Sequence, residues 1–266
     1  MPPTLLALDT STERMALAVL WPGGCLSQVE AGGALASSRL IPAALQLLQR
    51  AGLTLQQLDA IAFGAGPGAF TGLRTACAVA QGLAFAIGRP VLPLDSLMLV
   101  AEDAAAQQRI EGPMWVAMDA RMNEVYAAAY VPQGHRAGQR QDTGHDHADA
   151  PGWQTHTAPA LYTLAALSAR WQAEPPACIA GTAAAAFGAR LPVGDARLIT
   201  DEADRGAALA RLAARAWSHG GALDAAQALP LYLRDKVAFT TAERSQNARA
   251  AVAAAAVAAA ATAAAA

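Results

Sequence analysis

Two stretches of this sequence carry residue types at spacings suited to chemistry. The first, "GAGPGAFTGLR" at 64–74, is a glycine-rich turn that runs straight into a helix. Free N–H groups and the helix dipole converge at such a start and can receive an anion, and Arg74 one turn in would strengthen the attraction. The same run, with Gly66, Pro67, Gly68, Thr71, Gly72 and Arg74, equally makes a tight turn that aims a helix at a packing surface. It lacks the Gly-Lys-Ser/Thr of a P-loop, and its proline stands where a dinucleotide-binding turn needs an unrestricted backbone. The second stretch is Asp9 followed by Thr10, Ser11 and Thr12. A hairpin turn of small hydroxyl residues can wrap a triphosphate while the aspartate holds hydrated Mg²⁺. An Asx-type turn that only closes the hairpin uses the same residues. Spacing alone leaves both choices open.

Other chemistry has less support. No histidine precedes residue 135, and His135, His145, His147 and His156 lie in or beside a polar stretch. The "HDH" there offers a metal no fixed geometry, and no histidine pair has the helical spacing of a zinc protease. A serine-hydrolase elbow is absent. Glu102 and Asp103, like Asp201, Glu202 and Asp204, are read as helix-start carboxylates serving the dipole.

These candidates need elements to hold them. The 266 residues suffice for one large domain or two ordinary ones. Hydrophobic residues make up 54%, but part of that is alanine, including the terminal run "AVAAAAVAAAATAAAA", which cannot build a core alone. A formal charge of −2 gives no electrostatic case for nucleic-acid binding by this chain by itself. Cys25, Cys77 and Cys178 are odd in number and far apart, which fits a reducing cytosol better than a disulfide framework or a zinc site. The amino-terminal residues do not read as a signal peptide, and no segment reads as a membrane span. The chain is therefore expected in the cytoplasm.

"TLLALD" and "MALAVLW" flank the polar "TSTER" and predict a β-hairpin, with "LSQVEAG" as a third strand. Helices are predicted over "SSRLIPAALQLLQRAG" and "FTGLRTACAVAQGLAFAIGRP", the second with Thr71 as N-cap, and a strand over "LDAIAFGAGPG" between them. A strand "PVLPLDS" and a helix "LMLVAEDAAAQ" follow. After Pro113 the pattern restarts: "MWVAMDARMNEVYAAAYV" repeats strand, aspartate turn, strand, with Asp119 echoing Asp9. Residues 133–158 read as a polar loop, "PALYTLAALSARWQ" and "DRGAALARLAARAWSHGG" as helices, and 245–266 as a low-complexity tail. The expected fold is α/β, with one lobe at 1–110, completed by a segment near 222–244, and a second at 111–221.

"LALDTSTE", "GAGPGAFTGLR", "MDARMNEVYAAAY" and "PLYLRDKVAF", in this order, resemble the bacterial TsaB (YeaZ) family of tRNA threonylcarbamoyladenosine biosynthesis proteins, also classed as M22-peptidase homologues. The likeness runs from about residue 4 to about residue 240 and omits the loop at 133–158. It implies two similar lobes of the actin/Hsp70/sugar-kinase (ASKHA) type, with mixed sheets covered by helices. It also implies a subunit without activity of its own that pairs with the catalytic paralogue TsaD. TsaE would join in a larger complex, ATP or ADP would sit mainly on TsaD, tRNA would be met only through the complex, and a homodimer would form when TsaD is missing. TsaD carries metal-binding histidines on an early helix; "SSRLIPAALQLL" has none.

Both predicted helices of the first lobe carry apolar or small residues on two sides, where a helix lying on a sheet needs one. The second stripes, Leu40, Ala44, Leu47 and Ala51 with Leu73, Ala76, Val79, Ala80 and Leu83, are expected to form a partner surface, with the glycine turn aiming its helix there. The alternatives are an ATP-dependent small-molecule kinase resting on Asp9 and, more remotely, an M22-type metallopeptidase.

Overall fold

The computed structural model describes residues 2–108, 110–133 and 152–234. Met1–Leu233 forms one unit, and Arg234–Ala266 is a second of which only Arg234 is described. The tail at 245–266 and residues 134–151 of the expected loop lie outside the described residues.

Five strands, β1 (Leu5–Asp9), β2 (Arg14–Trp21), β3 (Gly24–Ala31), β4 (Ala60–Gly66) and β5 (Val91–Asp95), make the first sheet in the order β3-β2-β1-β4-β5. β1 runs antiparallel to β2 and parallel to β4. The second sheet contains β6 (Met114–Asp119), β7 (Glu124–Pro132), β8 (Trp153–Thr163), β9 (Cys178–Ala180) and β10 (Arg197–Ile199), in the order β10-β9-β6-β7-β8. The two orders are one topology used twice, an antiparallel hairpin side followed by a parallel side. Asp9 and Asp119 each end the central strand of a sheet, so the echo in the sequence is a structural repeat. This is the two-lobed α/β architecture with mixed sheets.

Central strands of such sheets are covered on both faces and read as continuous apolar runs; every residue of "LLALD" is buried. One face of the first sheet carries α1 (Ala36–Arg50) and α2 (Phe70–Ile87), packed side by side. Leu40, Ala44, Leu47, Ala76 and Ala80 meet Leu8 and Phe63 there. The other face carries α6 (Arg205–Ser218) through Leu209 and Ala213. Helix α3 (Ser96–Gln107) turns Leu99 towards the first sheet and Leu97, Ala101 and Ala104 towards Val116 and Tyr130 of the second. α4 (Leu164–Ala173) and α5 (Ala183–Phe187) cover the remaining face around Trp115 and Trp171. By length and composition α2 could cross a membrane, but its apolar side is spent on the lobe core.

Two boundaries differ from the sequence reading. Residues 153–158 are strand, not loop, and "PALYT" continues that strand before α4 begins. The cause is pairing with β7, a long-range partner that local periodicity cannot report. α6, assigned by sequence to the second lobe, packs on the first sheet, because the exposed face of that sheet needed a cover. After α6 the chain stays on the first lobe, within the segment near 222–244 expected to complete it: Leu223 bridges Val91, and the Leu231 N–H donates to the Ala65 carbonyl at 2.7 Å.

Candidate functional site

Asp9 sits at the carboxyl end of β1, where open α/β sheets bind ligands. Its surroundings are closed. Asp9 is fully buried, as are Thr10 and Ser11, while Thr12 is half-buried. Asp9 Oδ1 accepts from the Ser11 N–H (3.2 Å), Ser11 Oγ (2.8 Å) and an Arg205 guanidinium nitrogen (3.0 Å). Asp9 Oδ2 accepts from Ser96 Oγ at 3.0 Å. Arg205, the first residue of α6, is itself 2% exposed and also donates to Ser11 Oγ at 3.0 Å. The guanidinium thus fills the space beside the Asp9 carboxylate.

The glycine turn is closed against the same loop. A Cβ at Gly64 would collide with the Asp9 carboxylate, and one at Gly72 with the Thr10 carbonyl. The backbones approach that closely because these residues are glycine. Thr10 Oγ1 donates to the Gly72 carbonyl at 2.6 Å, and the Ala69 N–H donates to the Ser11 carbonyl at 2.8 Å. Helix α2 begins at Phe70 with Ala69 as N-cap, so Thr71 lies inside its first turn. Arg74 lies over the Phe70 ring at 3.9 Å and donates to Tyr232 Oη at 3.0 Å. Gly66 to Ala69 thus form a turn held by the 9–11 loop and lead into α2, and Asp9 to Thr12 close a hairpin.

Beside Arg205 a cavity of about 30 Å³, lined by Asp103, Gly181, Thr182 and Glu202 among others, has room for one or two waters. Small-molecule pockets run to roughly 300–1,000 Å³. Nearby, Arg14 pairs with Glu202, and Arg121 pairs with Glu13, each at 3.2 Å. Among the described residues no group of three His, Cys, Asp or Glu side chains is arranged to hold a metal.

Sequence reasoning missed Arg205, which lies 196 residues from Asp9, and no local pattern marks it. Glu102 and Asp103 stand in the second half of α3, not at the helix start that the sequence suggests. Glu102 accepts from Arg211, Arg215 and, at 2.8 Å, Trp153 Nε1. Asp103 accepts from the Ala203 and Asp204 N–H groups, fixing the start of α6. Asp95, the N-cap of α3, accepts from Tyr130 Oη at 2.6 Å. Burial pushes the Asp95 carboxyl up from its ordinary value, against the pull of those hydrogen bonds. Acidic side chains of α3 and its cap thus tie the lobes together.

The expected partner stripe needs correction. Leu40, Ala44, Leu47, Leu73, Ala76 and Ala80 are buried, and Ala51, Val79 and Leu83 are half-buried against the same core. The inward side of each helix draws on both sequence stripes, because a sheet with a neighbouring helix covers a wide arc. The apolar residues left outward are others: Ile41 and Leu45 on α1 are 42% and 44% exposed, and Phe85 on α2 is 58% exposed. Ala78 and Gly82 are exposed between Arg74 and Phe85. Small residues at i and i+4 let another helix approach closely.

The family model described as TsaD, tRNA N6-adenosine threonylcarbamoyltransferase, matches residues 34–264. The chain is 42% identical over 134 residues to the Haemophilus influenzae tRNA threonylcarbamoyladenosine biosynthesis protein TsaB, covering 50% of this chain and 56% of that protein. It is 36% identical over 127 residues to the Escherichia coli protein of the same name, covering 47% and 54%. The matched region thus spans about half the length of these curated relatives. A Pseudomonas aeruginosa crystal structure, described as similar to peptidase YEAZ, superposes with a TM-score of 0.73 at 39% identity, covering 87% of this chain and all of the other.

Proposed function

We propose, from the premise that the chain belongs to the TsaB (YeaZ) family, that it is a non-catalytic subunit acting with TsaD. Together they place threonylcarbamoyl on the adenosine beside the anticodon of tRNAs reading A-starting codons. One observation carries the reading: the Asp9 carboxylate at the end of β1 is enclosed and ion-paired with Arg205, while α1 and α2 turn apolar and small side chains outward. A kinase of this architecture needs an open carboxylate at Asp9, which here is wholly enclosed. The metallopeptidase reading has no ligand cluster among the described residues to rest on.

In this reading the α1–α2 face receives TsaD, or a second copy of the chain when TsaD is missing, so the two assemblies exclude each other. TsaE joins the TsaD complex, ATP or ADP sits on the partner side, and tRNA is met through the assembly in the cytoplasm. An exposed apolar patch on a lone subunit is a liability that such pairing removes.

The test is reconstitution. Purified chain, TsaD and TsaE from one organism are combined with tRNA, ATP and threonylcarbamoyl-adenylate, and modified adenosine is measured by mass spectrometry. Modification is expected only when this chain and TsaD are both present. Transfer by this chain alone, or full transfer by TsaD and TsaE without it, refutes the proposal.

A further inference from the structure

We propose that Arg205 is a positioning residue that holds the start of α2, and with it the outward face of that helix, from the opposite side of the first sheet. A nearly fully buried arginine is unusual, and replacing a buried ion pair by apolar groups is often neutral for stability. The pair is therefore better explained by what it places than by what it stabilises. Arg205 is placed by its own surroundings: Asp103 accepts from the N–H groups of Ala203 and Asp204, and Glu202 Oε1 lies 3.9 Å from the guanidinium.

From Arg205 a continuous path of hydrogen bonds leads to the helix. The guanidinium donates to Asp9 Oδ1 and Ser11 Oγ, both at 3.0 Å. Asp9 in turn accepts from the Ser11 N–H and, through its other oxygen, from Ser96 Oγ, which accepts from the Gly66 N–H at 3.2 Å. The loop then grips α2 twice, through the Ser11 carbonyl at the Ala69 N–H and Thr10 Oγ1 at the Gly72 carbonyl. Ala69 is the N-cap of α2, and it has no side-chain cap of its own. Its register therefore depends on the 9–11 loop. Without the guanidinium the buried Asp9 carboxylate loses its charged partner and must rearrange, which alters the loop's grip.

This rests on the α1–α2 reading only for its binding arm; the exchange arm does not need a partner. Arg205→Met and Arg205→Lys are compared with the unaltered full chain. Amide hydrogen exchange is followed at Ser11 and Ala69, with Ala128 and Tyr130 of β7 as references, and TsaD affinity is measured by calorimetry. Arg205→Met should speed exchange at Ser11 and Ala69 by about tenfold or more beyond any rise at the β7 amides and weaken TsaD binding about tenfold. Arg205→Lys, which keeps the charge but not the fork, should recover part of both. If Arg205→Met does not fold, Arg205→Lys and Ser11→Ala carry the same comparison, each with a smaller rise confined to Ser11 and Ala69. Unchanged exchange there, or an equal rise in β7, overturns the inference, as does unchanged affinity where the unaltered chain binds. If the unaltered chain fails to bind TsaD, the partner reading falls and the exchange result alone decides this one.

Discussion

Ala76 and Ala78 are two positions apart on α2 and should respond oppositely to the same substitution. At about 100° per residue they point roughly 200° apart. Ala76 is fully buried among Leu40, Leu47, Phe63 and Ala80, whereas Ala78 is exposed. Ala76→Glu drives a longer side chain into a packed interior, which costs about 1–3 kcal/mol in strain. It also buries a carboxylate without a partner, which costs about 3–5 kcal/mol more. Against a total stability of about 5–15 kcal/mol, that loss removes much or all of the folded state. At roughly 2–4 °C per kcal/mol for a chain of this size, the melting temperature should fall by more than about 10 °C. Ala78→Glu should change stability by less than about 0.5 kcal/mol, or roughly 1–2 °C. At the centre of the proposed TsaD face it should instead cost about 2–4 kcal/mol of association, a factor of roughly 30 to 1,000 in Kd. Circular-dichroism melts and calorimetric titration with TsaD read both quantities. An Ala76→Glu protein that melts like the unaltered chain would show that the packing is misassigned. A folded Ala78→Glu protein with unchanged affinity would move the interface elsewhere.

Two other expectations concern the contacts between the lobes. The Asp95 carboxyl is raised by burial, so the folded state holds its proton more tightly than the unfolded state. Stability from this group is therefore full below the unfolded value of about 3.9 and is lost as pH rises through the folded value. Asp95→Asn, which can still accept from Tyr130, should gain on the unaltered chain in urea midpoint as pH rises from about 4 to 7, and a gap that narrows instead refutes the assignment. Glu102→Ala removes the carboxylate shared by Arg211, Arg215 and Trp153 and should cost about 3–5 kcal/mol, near 10 °C in melting temperature, with a shift in Trp153 emission; Glu102→Gln should lose less. A melt unchanged in Glu102→Ala would mean that the cluster does not join the lobes.

Local pattern carried a large part of this protein. The alternation of strands and helices, the restart after Pro113 and the paired aspartates at strand ends are short-range features. Hydrophobic period and turn chemistry specify them without reference to distant residues. The echo between "LLALD" and "MWVAMD" marked a repeat of strand and aspartate turn, and the shared strand order came from the resemblance and then the fold. Three things needed the tertiary structure. Residues 153–163, whose polar run and central proline hid a strand, were fixed as one by pairing with β7. The outward side of α1 and α2 followed from what covers them: the sheet and the neighbouring helix claimed Leu40, Ala44 and Ala76, leaving Ile41, Leu45, Ala78 and Phe85, and an apolar stripe does not announce which side is inner. The fate of Asp9 depended on a residue 196 positions away, since only folding brings Arg205 to a carboxylate that the sequence alone leaves equally ready for phosphate and for a closed turn.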